Sequence, residues 1–245
     1  MSLANRTAMI TGAGGGLGRA IAFSLAAAGA RPVLVGRNRG NLEALQAALG
    51  VAGALVAPCD VTDRGQVAAT VRTVLEQCGA IDILILAAGM NVPKRSLRSL
   101  DPDDWDRVLA TNLTGAFNMV HGVLPSMRER GCGLVIQIAS ISALRVSVIT
   151  GAAYSASKCG QAALGLCIGR EERGRGIRST VIYPGEVNTP LLDHRSGRMD
   201  AVDARRRESI LQPEDVAAAV RFVAELPPRA HVTELVIKPT LDDFA

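Results

Sequence analysis

No apolar run in this chain reaches the ~18–20 residues that a membrane-crossing helix needs. Its N-terminus, MSLANRT, has neither the charged nor the apolar block of a signal peptide. Both absences predict a cytoplasmic protein that meets no membrane. Cysteine is scarce and scattered: Cys59, Cys78, Cys132, Cys159 and Cys167 form no C-x-x-C pair, so they read as reduced small hydrophobes. The three histidines, His121, His194 and His231, lie far apart, and no metal site is expected. Aromatics make up 3% of the chain, too few for the base-stacking platforms of single-strand binders, and no nucleic-acid partner is expected. Repeats, low-complexity tracts and linkers are missing too. The 245 residues, 48% hydrophobic, are therefore expected to form one domain around one sizeable core. The net charge of +4 suits an anionic cofactor or substrate.

What is present begins with glycine, of which there are 25. Thr7 to Thr11 reads as a short strand, Gly12-Ala13-Gly14-Gly15-Gly16-Leu17-Gly18 as a turn, and Arg19 to Gly29 as an alanine-rich helix. Strand, glycine turn and helix together present backbone N–H groups and a helix N-terminus to a phosphate. The spacing is Thr11-Gly12-x3-Gly16-x-Gly18, with Leu17 where a G-x-G-x-x-G fingerprint would have its last glycine. The second strand, Arg31 to Val35, is followed by Gly36-Arg37-Asn38-Arg39. A site for NAD(H) would place a carboxylate there for the ribose 2′-hydroxyl, whereas Arg37 suits a 2′-phosphate and Arg39 is placed to assist it. NADP(H) is favoured over NAD(H); a solvated basic turn before the helix Asn41 to Leu49 is the alternative. Ala54 to Ala57 reads as the third strand. Beyond it, Asp60 stands where an adenine amino group would lie, and Asp63 is a helix cap.

Ile81 to Leu86 is a continuous apolar run, as in a parallel strand covered on both faces. Ala87-Ala88-Gly89 after it is small enough for a cofactor to lie against the backbone. Asp103 to Arg130 reads as one long helix containing Asn112, which is disfavoured in a helix interior: it is partly exposed or does a specific task. Gly133 to Ala139 is a fifth strand ending at Ser140-Ile141-Ser142. Gly12, Gly89 and Ser140 thus all fall at carboxyl ends of strands, where open parallel sheets hold their ligands.

Ala152 to Gly174 reads as a helix in which Tyr154 and Lys158, four apart, share one face. A fixed ammonium near a phenol favours the phenolate and makes tyrosine a usable acid/base near neutrality. Ser155-Ala156-Ser157-Lys158 also fits S-x-x-K, but the companion Ser-Asp-Asn and Lys-Thr-Gly motifs of that hydrolase class are absent. Ser179 to Tyr183 is a sixth strand, followed by Pro184-Gly185-Glu186-Val187-Asn188-Thr189-Pro190. The polar stretch from about 188 to 211, with Arg195, Arg198, Arg205, Arg206 and Arg207, reads as a substrate-side lid. Its arginines either recognise an acidic substrate or form a solvated face. Pro213 to Leu226 is a last helix and His231 to Ile237 a seventh strand.

With Thr11-Gly12-x3-Gly16-x-Gly18, Asn112, Ser140, Tyr154-x3-Lys158 and Pro184-Gly185 in order, the chain from about Ala4 to Lys238 resembles the short-chain dehydrogenase/reductase family. The resemblance implies a Rossmann-like, doubly wound α/β fold: about seven parallel strands with helices on both faces. It implies hydride transfer between NAD(P) and a carbonyl or alcohol. Tyr154 would be the acid/base. Lys158 would lower its pKa and hydrogen-bond the nicotinamide ribose. Ser140 would polarise the carbonyl, and Asn112 would hold a water of the proton path. Gly12, Gly14, Gly16, Leu17 and Gly18 would hold the pyrophosphate, Asp60 and Val61 the adenine. Ala88 and Gly89 would lie along the cofactor, with Pro184, Gly185, Val187 and Thr189 near the nicotinamide. A homodimer or homotetramer through the two long helices is implied as well.

Three departures stand out. Leu86-Ala87-Ala88-Gly89 lacks the asparagine that helps to lock the family's central sheet. The serine lies fourteen residues before the tyrosine, one more than usual, so Ser142, otherwise a substrate-side residue, remains an alternative to Ser140. Lys238-Pro239-Thr240 replaces the customary Asp-Gly-Gly. The reading is an NADP(H)-dependent carbonyl reductase or alcohol dehydrogenase, with 3-oxoacyl thioesters among the candidate substrates. Its alternatives are an NAD-dependent alcohol dehydrogenase of the same fold and a catalytically silent dinucleotide-binding sensor or scaffold.

Overall fold

The computed structural model describes residues 2–192 and 208–241. Its centre is one sheet of seven parallel strands: β1 (Thr7–Thr11), β2 (Arg31–Gly36), β3 (Leu55–Pro58), β4 (Ile83–Leu86), β5 (Gly133–Ile138), β6 (Ile177–Pro184) and β7 (Glu234–Ile237). The strand order is β3-β2-β1-β4-β5-β6-β7. The chain winds outwards from β1 in one direction to β3 and then from β4 in the other, so a crevice opens between β1 and β4 at their carboxyl ends.

The strands alternate their side chains between two cores. Ile10, Leu34, Ile83, Ile85, Leu134 and Ile136 meet Ile21 and Leu25 of α1 (Gly16–Ala27), Leu42 and Leu45 of α2 (Arg39–Leu49), and Val220 of α7 (Pro213–Glu225). Met9, Val35, Leu84, Leu86 and Val135 point the other way, onto Val67 and Val71 of α3 (Arg64–Cys78) and Met119 and Val123 of α5 (Gly115–Arg130). Apolar side chains on both faces are why these strands read as unbroken apolar runs. The remaining helices are α4 (Pro102–Leu109) and α6 (Ala152–Glu171).

Most element boundaries lie within three residues of the sequence expectation or differ for a visible reason, as four of them show. The helix expected over Asp103 to Arg130 is two helices joined by a π-helical turn, Ala110–Thr114, with Asn112 in it. β4 starts at Ile83, because the Ile81 carbonyl accepts from Arg130 and the Asp82 carboxylate takes the Thr7 N–H and Arg130. β7 starts at Glu234, the carbonyls of Val232 and Thr233 being used by Thr180 and Val181. α6 ends at Glu171; the buried Glu172 carboxylate beyond it is clamped by Arg128 of α5. No helix of the described residues is long and apolar enough to cross a membrane.

Candidate active site

The glycine turn is built by backbone sterics. Gly12 lies at φ +68°, in the left-handed region that favours glycine, and a Cβ there would come within 2.8 Å of the Ala88 Cα. Gly18 packs against the Gly12 carbonyl so closely that any side chain would collide with it. Two backbone bonds, Ala13 N–H to Val35 O (3.1 Å) and Gly15 N–H to Gly12 O (3.0 Å), fix the turn. Thr11 seams it to the end of β4: its Oγ1 accepts from the N–H groups of Ala87 and Ala88 (both 3.1 Å) and donates to the Ile85 carbonyl (3.3 Å). Thr11 thus ties β1 to β4 at the point where Leu86, buried in the core, has no polar group to do so. Gly14 is exposed beside Asn41 and Leu42 of α2, and Leu17 packs into the core below. Gly16 faces Thr189 and Pro190, which brings the segment after β6 over the turn.

At the end of β2 there is no carboxylate. Arg37 is exposed and makes no ion pair among the described residues, while Arg39 reaches Glu43 at 3.5 Å in an exposed pair. Asn38 caps α2 by accepting from the Asn41 N–H. Past β3, Asp60 Oδ1 accepts from the Thr62 N–H (2.9 Å) and hydroxyl (2.8 Å), which fixes its carboxylate at the crevice rim. Val61 is buried against Gly115, and its carbonyl accepts from Asn118 (2.9 Å). Asp63 caps α3 as expected, and the backbone N–H of Gln66 holds its carboxyl below the usual range.

Across the crevice the construction is polar and buried. Lys158, 5% exposed, donates to the Ile138 carbonyl at the end of β5 (2.7 Å) and to Gln161 Oε1 (2.8 Å). Its Nζ stands 5.7 Å from the centre of the half-buried Tyr154 ring, so the two do share one face of α6. Burial pushes the ammonium down to about 7. Asn112, fully buried, is bound at both ends of its amide. Oδ1 accepts from the Met90 N–H (2.8 Å), while Nδ2 donates to the Met90 carbonyl (3.0 Å) and to Ser157 Oγ (3.0 Å). Ser157 in turn donates to the Tyr154 carbonyl (2.7 Å). The π-helical turn thereby braces both the loop after β4 and the first turn of α6, a use typical of such bulges. Gly89 lies against both groups: a Cβ there would be 3.5 Å from Asn112 Oδ1 and 3.6 Å from Lys158 Nζ.

Ser140 extends β5 and caps the short turn Ile141–Ala143. Its Oγ accepts from the Ser142 N–H (3.1 Å) and donates to Ser142 Oγ (3.3 Å). Both serines are buried, Ser140 at 8% exposure and Ser142 at 2%. The S-x-x-K pattern does not form a nucleophile pair: Ser155 Oγ bonds Thr150 (3.1 Å) and Lys158 donates elsewhere. Beyond β6, Pro184 is buried and Gly185 N–H donates to the Ile237 carbonyl (2.7 Å). Val187 bridges Leu211, Asn188 N–H donates to the Leu211 carbonyl (2.8 Å), and Leu211 N–H to the Glu186 carbonyl (3.1 Å). The two ends of the expected lid are thereby stitched together. Its middle, with Arg195, Arg198, Arg205, Arg206 and Arg207, lies outside the described residues.

The sequence reading passed over Gln161 and Ser157. Gln161 is three residues after Lys158, hence on its face of the helix; that spacing was the available signal. Among the described residues no cluster of His, Cys, Asp and Glu is suited to a metal.

Comparisons with known proteins agree with this architecture. A family model described as short chain dehydrogenase matches residues 6–199. An uncharacterized oxidoreductase of Staphylococcus aureus (strain USA300) is 31% identical over 237 residues, covering 97% of this chain and 98% of its own. A glycine betaine reductase of Emericella nidulans is 34% identical over 242 residues; these cover 97% of this chain but 19% of that much longer protein. Levodione reductase superposes with a TM-score of 0.88 at 31% identity, covering 96% of both chains. The closed form of a serine dehydrogenase complexed with NADP+ also reaches 0.88, at 28% identity over 98% of this chain and 97% of its own. A 3-ketoacyl-(acyl-carrier-protein) reductase from Brucella melitensis complexed with NADH reaches 0.87, at 28% identity over 97% of this chain and 98% of its own. With its parallel seven-stranded sheet and the match over residues 6–199, the chain belongs to the short-chain dehydrogenase family of oxidoreductases.

Proposed function

We propose that this chain interconverts carbonyls and secondary alcohols with NADP(H). The observation that carries the reading is the buried Lys158 ammonium, fixed 5.7 Å from the Tyr154 ring at the edge of a crevice floored by the glycine turn. The residues fit a dinucleotide. Gly12, Gly14, Gly16, Leu17 and Gly18 leave the backbone at the start of α1 open to a pyrophosphate. Asp60 and Val61 would border the adenine, Ala88 and Gly89 the cofactor's inner edge, and Pro184, Gly185, Val187 and Thr189 the nicotinamide. Arg37, exposed and in no ion pair among the described residues, matches the 2′-phosphate that distinguishes NADP(H) from NAD(H). Such a cofactor, bound there, would supply or accept the hydride.

The chain's own residues handle the proton. Tyr154 gives its hydroxyl proton to the carbonyl oxygen in reduction and takes it back in oxidation. Lys158 favours the phenolate by its charge, and two of its three N–H groups are already donated, which leaves the third for the cofactor ribose. Ser140, the more exposed of the two serines, polarises the substrate oxygen, and Ser142 holds its hydroxyl in place. The side-chain amide of Asn112 is committed to Met90 and Ser157, and Asn112 would hold the water of the proton path to Lys158 beside it. The stretch from about 188 to 211 would be the substrate-side lid, and of its described residues Asn188 and Leu211 are joined by a backbone hydrogen bond. 3-Oxoacyl thioesters are the first class to try, because a solved relative is a 3-ketoacyl-(acyl-carrier-protein) reductase. Assembly into a dimer or tetramer would use α5 and α6, where Phe117 is 44% exposed.

Replacing Tyr154 by Phe tests the assignment. Turnover of a carbonyl panel with NADPH should fall by about 10³-fold or more, while NADPH affinity stays within about twofold. Retained turnover would remove Tyr154 from its role. Wild-type protein that binds NADPH but oxidises it with no member of the panel would favour the silent sensor.

A further inference from the structure

We propose that Gln161 is a positioning residue for Lys158, holding its ammonium between β4 and β5 in the place where it serves Tyr154; the proposal rests on the oxidoreductase reading above.

Gln161 is fully buried on α6. A buried amide is retained at no gain unless both its ends are used. Both are. Oε1 accepts from Lys158 Nζ at 2.8 Å, and Nε2 donates to the Leu86 carbonyl at a long 3.4 Å. The orientation is set by the partners, since a lysine ammonium only donates and a carbonyl only accepts. Gln161 therefore connects the lysine to the last residue of β4, at the crevice wall where Leu86 itself offers an apolar side chain.

The geometry fixes the ammonium at two points, Ile138 O on β5 and Gln161 Oε1. Without the second acceptor the Ile138 carbonyl would be the one remaining hydrogen-bond anchor of Nζ beside the Tyr154 ring. An acceptor also favours the charged form, against the burial that pushes it down to about 7. Few other groups bear on this titration. From α6 the Tyr154 ring faces Nζ, from β5 the neutral Ile138 carbonyl, and from the loop after β4 and the π-helical turn the neutral Gly89 and Asn112. No charged side chain among the described residues adds to the effect of burial.

The sequence makes the test direct, because it contains three lysines, Lys94, Lys158 and Lys238. With lysine labelled at the ε-carbon, Lys158 can be titrated by NMR in the whole chain, with and without NADP+. Wild type is compared with Gln161→Met, which keeps the volume and removes the acceptor, and Gln161→Glu, which strengthens it. We expect the Lys158 midpoint to fall by about one pH unit in the methionine variant and to rise by at least that in the glutamate variant. The basic limb of kcat should move in the same directions. A merely structural glutamine would change melting temperature without moving the two midpoints in opposite senses. A methionine midpoint that stays or rises overturns the proposal. Should that variant not fold, a glutamate midpoint that fails to rise overturns it alone. Midpoints that shift as expected in a protein that turns over no carbonyl would uphold the positioning and refute the oxidoreductase reading.

Discussion

The two walls of the crevice are made of different materials. Around β1 and α1 the wall is backbone: Gly12 and Gly18 exclude any side chain, and its polar contacts are main-chain bonds plus the single seam of Thr11. Around β5 and α6 the wall is a buried side-chain network, from Met90 through Asn112 and Ser157 to Tyr154, and from Ile138 through Lys158 and Gln161 to Leu86. A wall of backbone binds a group common to many ligands and leaves little to adjust. A wall of buried amides, hydroxyls and one ammonium can be tuned, at the expense of desolvating a charge.

Three changes should break this contrast, from the largest effect to the smallest. Gly18→Ala drives a methyl into the Gly12 carbonyl, which is backbone and cannot give way. We expect a loss of roughly 3 kcal/mol or more in unfolding free energy, and weaker dinucleotide binding in whatever remains folded. A melting curve within a degree of wild type would show that the turn is more pliable than its geometry indicates. On the other wall, Lys158→Met should abolish turnover and yet raise stability in the absence of nucleotide. The folded chain holds its lysine near 7 whereas an unfolded lysine titrates near 10.5, so the unfolded state binds more protons between these values. The wild-type penalty is therefore full below pH 7 and fades as the pH rises towards 10.5, and the variant's advantage in urea unfolding should be a few kcal/mol at pH 6 and shrink by pH 9. An advantage that grows with pH would contradict the burial argument. Least disruptive is Arg37→Ala, an exposed change that should leave stability within about 0.5 kcal/mol. Its effect belongs in a side-by-side titration, where NADPH affinity should fall about tenfold, some 1.4 kcal/mol, with NADH unchanged. Equal losses for both would assign Arg37 to general charge attraction.

The backbone wall was legible in the sequence because glycine spacing is itself a steric statement, and Gly12, Gly16 and Gly18 read out the turn directly. Tyr154 and Lys158 were legible because helical periodicity puts them on one face. The braces were harder to read. The π-helical turn at Asn112 has no sequence period of its own, so Asp103 to Arg130 read as one helix, although an asparagine in that setting pointed to a special task. Gln161 has the right spacing, but only the packing of α6 on β5 and β6 turns its face inwards and makes an ordinary amide a buried one. Leu86 signalled a missing tie between strands; that Thr11 provides it depended on β1 and β4 lying side by side.

The stitch between Glu186–Asn188 and Leu211 has a consequence for how the protein can diversify. It fixes the entry and exit of the intervening segment within hydrogen-bonding distance of each other. The entropy of closing a loop between fixed ends grows only with the logarithm of its length, about 0.6 kcal/mol for each doubling. A change in the number of residues between those ends would therefore add little to the entropy of closing them. If that segment meets the substrate, as proposed, substrate choice could change in length and sequence there while the stitch at its base stays as it is.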